Sequence, residues 1–372
     1  MRVAIISNTA WYLRNFRSSL ITRLIHDGHE VIAIAPPDES VSSLSKLGCQ
    51  YLPITIDNSG KNPFRDLLFL YRCLSLFHRK RVDVVLTYTS KPNIFGSLAA
   101  RLARIAAVNN ISGLGAIFID NGRLVWLLKL LYRVSLTGSV KVFFQNEDDH
   151  RLFVNEQLVD PQKASLLPGS GVDLKRFCFT PLSNGKRRFR FLLVARMLWD
   201  KGIGEVVEAA RRLRCRYKVE FVLLGPSDAP NPAAISRSKI EQWVKEGVVQ
   251  YITQVEDVRP YLIQADCVVL PSYREGVPRS LLEAAAMGRP IVTTDTVGCR
   301  DVVVDNETGL LCKVRDSDDL FNKLETMMLL SEAQRAEMGR KARARVEKIF
   351  DETIVLDNYM SVIATLSEEI AH

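Results

Sequence analysis

The sequence predicts an α/β protein built from two doubly wound, parallel-sheet domains. Three observations lead there. Short runs rich in Val, Ile and Leu alternate with helix-length amphipathic stretches along most of the chain. The alternation stops near residues 171–190 and then restarts. The length of 372 residues also exceeds what one ordinary core organises, which favours two domains of about 150–200 residues. The expected domains are 1–178 and 190–350, both Rossmann-like and with a cleft between them. A C-terminal helix, 351–372, is expected to cross back to the first domain.

In the first half, Val3–Ile6, His29–Ile34, Gln50–Ile54, Val82–Thr87, Val108–Ile111 and Val140–Gln145 read as strands. Phe16–His26, Pro63–Arg79, Ile94–Ile105 and Leu124–Leu136 read as helices, with Pro63 suited to a first helical position. The stretch Asn8–Arg17 reads as the loop after the first strand. Gly171–Phe177, Pro181–Gly185 and the basic run Lys186-Arg187-Arg188 form the expected linker. Beyond it, Phe191–Ala195, Val219–Leu224, Val248–Ile252, Cys267–Leu270 and Ile291–Thr294 read as strands. Gly202–Leu213, Ile235–Glu246, Val258–Ala265 and Ser280–Met287 read as helices, and Ser317 to about Ala371 as a long helical tail.

Composition narrows the function. The chain is 47% apolar and 25% charged, as in a folded globular protein. No apolar run is long enough to span a bilayer, and Met1-Arg2 leads straight into a strand, so no secretory signal is expected. Seven scattered cysteines without a CxxC suit buried, reduced thiols in the cytoplasm. The net charge of +8 lies in the first half: residues 1–180 hold 22 Lys and Arg against 14 Asp and Glu, and residues 181–372 hold 28 of each. That asymmetry suits an anionic partner, whether membrane surface, diphosphate or nucleic acid, although a generally basic solvated surface accounts for it equally.

The stretch Pro271–Ala284 concentrates the chemistry. It joins a buried strand to a helix, where open α/β sheets bind ligands. Glu275 lies before the helix and Glu283 inside it, so both face a ligand held over the helix start, whose backbone N–H groups suit an anion. A second strand-to-helix loop, Ala195–Gly202, carries Arg196 and Lys201. Arg suits bidentate contact with a diphosphate and Lys a point-charge contact.

The string Arg196…Lys201-Gly202, followed by Glu275-Gly276-x-Pro278-x4-Glu283, resembles the retaining family-4 glycosyltransferases of GT-B fold. Gly288-Arg289-Pro290, Gly309-Leu310-Leu311 and Gly171-Val172-Asp173-x3-Phe177 extend the likeness over most of the chain. The resemblance implies that Glu283 binds the ribose of a UDP-sugar and that Arg196 and Lys201 hold its diphosphate. It further implies that Glu275 contacts the transferred sugar and that the Gly276 and Val277 N–H groups assist. Catalytic roles are therefore expected for Glu275, Arg196 and Lys201. No cofactor or metal is expected, the UDP-sugar being a co-substrate.

The first half departs from the commoner family pattern: it lacks a Gly-rich first loop, and none of the five histidines can be assigned as a base. Lys91 in Ser90–Gly96, with Ser112-Gly113-Leu114-Gly115, is similar to a bacterial subgroup that extends polyprenyl-diphosphate-linked sugars. Arg17, Lys91, Gly113 and Gly115 are accordingly the candidate acceptor residues. The implied reaction moves an N-acetylhexosamine, with GalNAc the first choice, from UDP to an undecaprenyl-diphosphate-linked saccharide. Its place would be the inner face of the cell membrane, in N-glycan, O-antigen or capsule assembly, with peripheral binding to anionic membrane and no nucleic-acid partner. Rival readings are another sugar, a non-prenyl acceptor, a nucleotide-sugar epimerase, and a non-catalytic membrane scaffold. Arg123–Leu136 suits a core helix with a thin exposed face ahead of an interfacial helix, and Phe64–Arg81 is a further surface-anchor candidate. Asp316-Ser317-Asp318 is expected to cap a helix rather than bind metal, and Asp148-Asp149-His150 to begin one.

Overall fold

Strands without polar alternation need cover on both faces. The computed structural model describes residues 1–57, 62–114, 123–182, 188–227 and 231–371. It divides into two units, Met1–Ser170 with Thr353–His372, and Gly171–Glu352. Each is a parallel sheet layered by helices.

The first unit runs β1 (Arg2–Ile6), α1 (Ala10–His26), β2 (Glu30–Ala35), α2 (Val41–Ser45), β3 (Gln50–Pro53), α3 (Pro63–Lys80) and β4 (Val84–Tyr88). A π-helical turn (Pro92–Gly96) then leads into α4 (Ser97–Ala103), β5 (Ala106–Ile111), α5 (Arg123–Leu136), β6 (Ser139–Phe144), α6 (Glu147–Asn155) and β7 (Ala164–Leu166). The strand order is β3-β2-β1-β4-β5-β6-β7, which reverses direction between β1 and β4. Val3 and Ile5 pack with Leu13, Leu20 and Leu24 on one face, and Ala4 and Ile6 with Phe69, Cys73 and Phe77 on the other.

The second unit runs β8 (Phe189–Val194), a 3-10 turn (Trp199–Lys201), α7 (Ile203–Arg216), β9 (Val219–Leu224), α8 (Arg237–Lys245) and β10 (Gln250–Ile252). It continues with α9 (Arg259–Gln264), β11 (Cys267–Leu270), α10 (Arg279–Ala286), β12 (Ile291–Thr294), α11 (Cys299–Val302), β13 (Gly309–Cys312), α12 (Ser317–Leu329) and α13 (Glu332–Ile349). Its order is β10-β9-β8-β11-β12-β13, with the reversal between β8 and β11. Phe191 and Leu193 pack with Val206, Leu213 and Leu320, while Leu192 packs with Leu281 and Val346 on the opposite face. The last helix, α14 (Glu352–Ala371), buries Val355, Tyr359, Ile363 and Leu366 in the core of the first unit. There Asn110 Nδ2 donates to the Tyr359 hydroxyl at 3.0 Å.

Several elements differ from the sequence expectation. Helix α1 starts at Ala10, not Phe16, because the Thr9 side chain caps it by accepting from the Tyr12 N–H at 3.1 Å. The expected Ile94–Ile105 helix opens instead with the π-helical turn. The long tail is three helices, because Ser331 and Gln334 form a capping box that starts α13 and the chain turns again at Phe350–Asp351. Asp316 caps α12, and Asn146 caps α6 just before Asp148 and Asp149. Two cysteines, Cys178 and Cys215, are exposed rather than buried; the other five are buried and all seven are free thiols. The linker stretch 183–187 and Gly115 lie outside the described residues.

Candidate active site

Doubly wound sheets bind ligands beyond the strand C-termini where the strand order reverses. In the second unit that place belongs to the loops after β8 and β11, which carry Arg196, Lys201, Glu275 and Gly276. Buried Met197 pins the first loop: its N–H donates to Pro226 O at 2.9 Å and its carbonyl accepts from Ile235 N–H at 2.9 Å. Next to this anchor Arg196 is exposed. The loop then tightens through the 3-10 turn to Gly202, whose φ is +70°. A Cβ there would fall 2.1 Å from Pro271 O, so only glycine lets the two loops touch.

This contact delivers Lys201 to Glu275. Lys201 Nζ donates to Glu275 Oε1 at 2.5 Å, with each side chain 15% exposed. The Ser272 hydroxyl lies 2.7 Å from the same oxygen and 3.1 Å from the Asp200 carbonyl, so its one proton serves either. Tyr273 N–H donates to Asp200 O at 2.9 Å. Tyr273 Oη lies 2.6 Å from Glu205, and burial followed by that carboxylate pushes the phenol up to about 12.

Threonines at the end of β12 and just beyond it hold the Glu275 loop. Thr293 donates to Leu270 O at 2.6 Å, Thr294 to Ser272 O at 2.5 Å, and Thr296 to Tyr273 O at 2.9 Å. Glu275 N–H donates to Val297 O at 3.1 Å. Gly298, with φ +82°, is close enough that a Cβ would sit 2.2 Å from Gly276 O. Sequence reasoning passed over Ser272, the threonines and Gly298. Their only advance signal was the polar run at the end of an apolar strand.

Glu283 pairs elsewhere. It lies in the second turn of α10, where its Oε1 accepts from Arg279 Nε at 3.0 Å. Burial raises its pKa, opposed by Arg279 and more weakly by Arg176. The four charged side chains singled out in this unit therefore form one tight pair, Lys201–Glu275, with Arg196 on the same loop as Lys201 and Glu283 held separately by Arg279. Val277, next to Gly276, is buried.

In the first unit Lys91 follows β4 and Gly113 follows β5, with φ +117° at Gly113. Lys91 Nζ is 2.5 Å from Asp66 on α3, so its charge is already matched. Arg17 is not in a loop. It lies two turns into α1, is 2% exposed, sits 4.2 Å over the Tyr88 ring and donates to the Tyr12 hydroxyl at 3.1 Å. The guanidinium expected on the acceptor side is thus buried between the Tyr12 and Tyr88 rings. No group of three or more candidate metal ligands occurs among the described residues.

Residues 188–329 match the family "Glycosyl transferases group 1", and residues 14–169 match "Glycosyl transferase 4-like domain". The chain belongs to the glycosyltransferases. Its fold is GT-B. The transferase is 30% identical to the N,N'-diacetylbacillosaminyl-diphospho-undecaprenol alpha-1,3-N-acetylgalactosaminyltransferase of Campylobacter jejuni, over 97% of this chain and 98% of that one. It is 26% identical to the UDP-Gal:alpha-D-GlcNAc-diphosphoundecaprenol alpha-1,3-galactosyltransferase of Escherichia coli, over 70% of each chain. Among solved structures, Anabaena HepE in complex with UDP-glucose superposes with a TM-score of 0.78 at 15% identity, covering 98% of the transferase and 100% of HepE. Arg196, Lys201, Glu275 and Glu283 all fall within the first family match, and Arg17, Lys91 and Gly113 within the second.

Proposed function

We propose that the transferase moves a sugar from UDP to an undecaprenyl-diphosphate-linked saccharide with retention of anomeric configuration. The observation that carries this is the Lys201–Glu275 pair, fixed beside Arg196 where the strand order of the second sheet reverses. Breaking the bond between the sugar C1 and the phosphate leaves negative charge on the diphosphate and positive charge on the sugar. Arg196 and Lys201 stabilise the first charge, and the Glu275 carboxylate orients the sugar and eases the second. The acceptor hydroxyl attacks C1 on the face the diphosphate leaves. A new C1–O bond forms as the C1–phosphate oxygen bond breaks, and the leaving phosphate takes the hydroxyl proton. Glu283 receives the ribose hydroxyls, and the Gly276 and Val277 N–H groups assist. No metal takes part.

The named substrates of the Campylobacter and E. coli relatives, and the UDP-glucose held by HepE, support the prenyl acceptor and the UDP donor. GalNAc is the first choice of sugar, and Lys91 and Gly113 are the acceptor-side residues. The test is UDP release from a panel of UDP-sugars, with and without undecaprenyl-diphosphate-linked monosaccharides. Acceptor-dependent release supports the reading. Release without acceptor, conversion of the UDP-sugar alone, or no turnover with any donor sinks it.

The acceptor chemistry also calls for a membrane surface, although no helix among the described residues is long and apolar enough to cross a membrane. Helices α3 and α5 expose Phe64 (79%), Tyr71 (66%), Trp126 (67%), Leu127 (45%) and Val134 (44%) beside Arg72, Arg79 and Arg133. The exposed face of α5 is thus broad, not thin. Aromatic and aliphatic side chains interleaved with cations suit the interface of an anionic bilayer, and the exposed sides of these two helices are the proposed contacts with the cytoplasmic leaflet.

A further inference from the structure

Helix energetics do not ask for the Arg279–Glu283 pair. The arginine opens α10 and the glutamate follows one turn later. That order places a cation against the positive end of the helix dipole and reverses the favourable sense of an i,i+4 pair. Each side chain is only 14% exposed, and a buried pair is weak evidence for stability. The pair therefore calls for a functional reason.

Charge and geometry supply one. A carboxylate is an acceptor-only group and takes two O–H donors, as a ribose diol offers, whereas a protonated carboxyl has lost part of that capacity. Burial drives Glu283 toward the protonated form. Other charged groups near it are Arg176, on the segment leading from the second unit's start, and Asp257, before α9. Asp257 is occupied by Arg259 at 2.8 Å, and Arg259 also donates to the Arg176 carbonyl at 3.3 Å. The side chain that hydrogen-bonds Glu283 directly is Arg279.

We propose that Arg279 is a positioning residue for nucleotide recognition, fixing the Glu283 carboxylate and holding it as the anionic acceptor of the ribose diol. This rests on the reading of Glu283 as the ribose ligand. The test is calorimetric binding of UDP and of its 2′,3′-dideoxy analogue to wild type, Arg279→Met, Arg279→Lys and Glu283→Gln, from mildly acidic to alkaline pH.

Wild type should prefer UDP by about tenfold or more, equivalent to about 1.4 kcal/mol. Glu283→Gln should lose that preference. Arg279→Met should lose most of it, and the loss should deepen as pH falls from a higher pH than in wild type, while Arg279→Lys keeps most of it. Should Arg279→Met fail to fold, Arg279→Lys and Arg279→Gln carry the same comparison. An Arg279→Met variant that keeps the wild-type preference at every pH, or that binds both ligands equally more weakly, would show a merely structural role and overturn the proposal. A wild type and a Glu283→Gln variant with the same preference would instead remove Glu283 from the ribose, and this inference with it.

Discussion

The Lys201 ammonium lies 2.5 Å from Oε1 of Glu275 and so ties the loop after β8 to the loop after β11. Removing either partner leaves the other half-buried and unmatched. Lys201→Ala and Glu275→Ala should each cut kcat by about 10²–10³-fold. The double variant should be far less impaired than the product of the two effects, because the residues act as a unit. Steady-state kinetics on the three variants, with circular dichroism to confirm folding, checks this. Multiplicative losses would mean the pair is incidental.

Gly298 should not tolerate a side chain. Its φ of +82° strains any L-residue, and the added Cβ would strike the Gly276 carbonyl. Gly298→Ala should lower stability by about 2 kcal/mol or more. Activity should fall further than stability, because the displaced loop carries Glu275. Urea melts run beside turnover measurements separate the two effects.

The buried Glu283 gives a pH signature. Its pKa is raised in the folded protein, so UDP affinity should weaken as pH falls, beginning above the ordinary carboxylate range. Stability responds in the opposite sense. The folded state holds this proton more tightly than the unfolded chain, so the Glu283 contribution to stability declines as pH rises from the ordinary carboxylate value through the raised one. Glu283→Gln should flatten both dependences in calorimetry and urea titration.

Arg17 should behave as a core residue. Arg17→Ala opens a cavity beneath Tyr88 and should lower stability by about 2–4 kcal/mol. Arg17→Met keeps the volume and removes a buried charge, so it should lower stability by less than about 1.5 kcal/mol. Acceptor KM should stay within about threefold of wild type in Arg17→Met. A large rise in that KM in a well-folded variant would place Arg17 at the acceptor site.

The exposed faces of α3 and α5 should govern vesicle binding. Phe64→Ser with Trp126→Ser should weaken co-sedimentation with anionic vesicles about tenfold or more, while hydrolysis-independent UDP binding stays unchanged. Equal co-sedimentation of variant and wild type would locate the membrane contact elsewhere.

Much of the fold was legible because parallel strands covered on both faces spell continuous apolar runs. Val3–Ile6, Val219–Leu224 and Cys267–Leu270 show this, each lying within or matching an observed strand. Strand β7, only three residues long, carried no such run. The early start of α1 depends partly on Asp38, far along the chain, which accepts from the Trp11 N–H at 2.8 Å. At the site, Arg196, Lys201, Glu275 and Glu283 stood out because charged groups at fixed spacing follow strands. The threonine row, Gly298 and the burial of Arg17 against Tyr88 did not, because each acts through contacts remote in sequence.

The return of α14 to the first sheet has a consequence for birth on the ribosome. Tyr359 and its neighbours close a core whose other members are translated before Gly171. The ribosome must therefore complete all of Gly171–Glu352 before that core can close. At typical elongation rates the delay is roughly 10–40 s, during which the apolar face awaiting Val355, Tyr359 and Ile363 stands uncovered. A nascent chain stalled short of α14 should thus be a chaperone client, even when its second half has already folded.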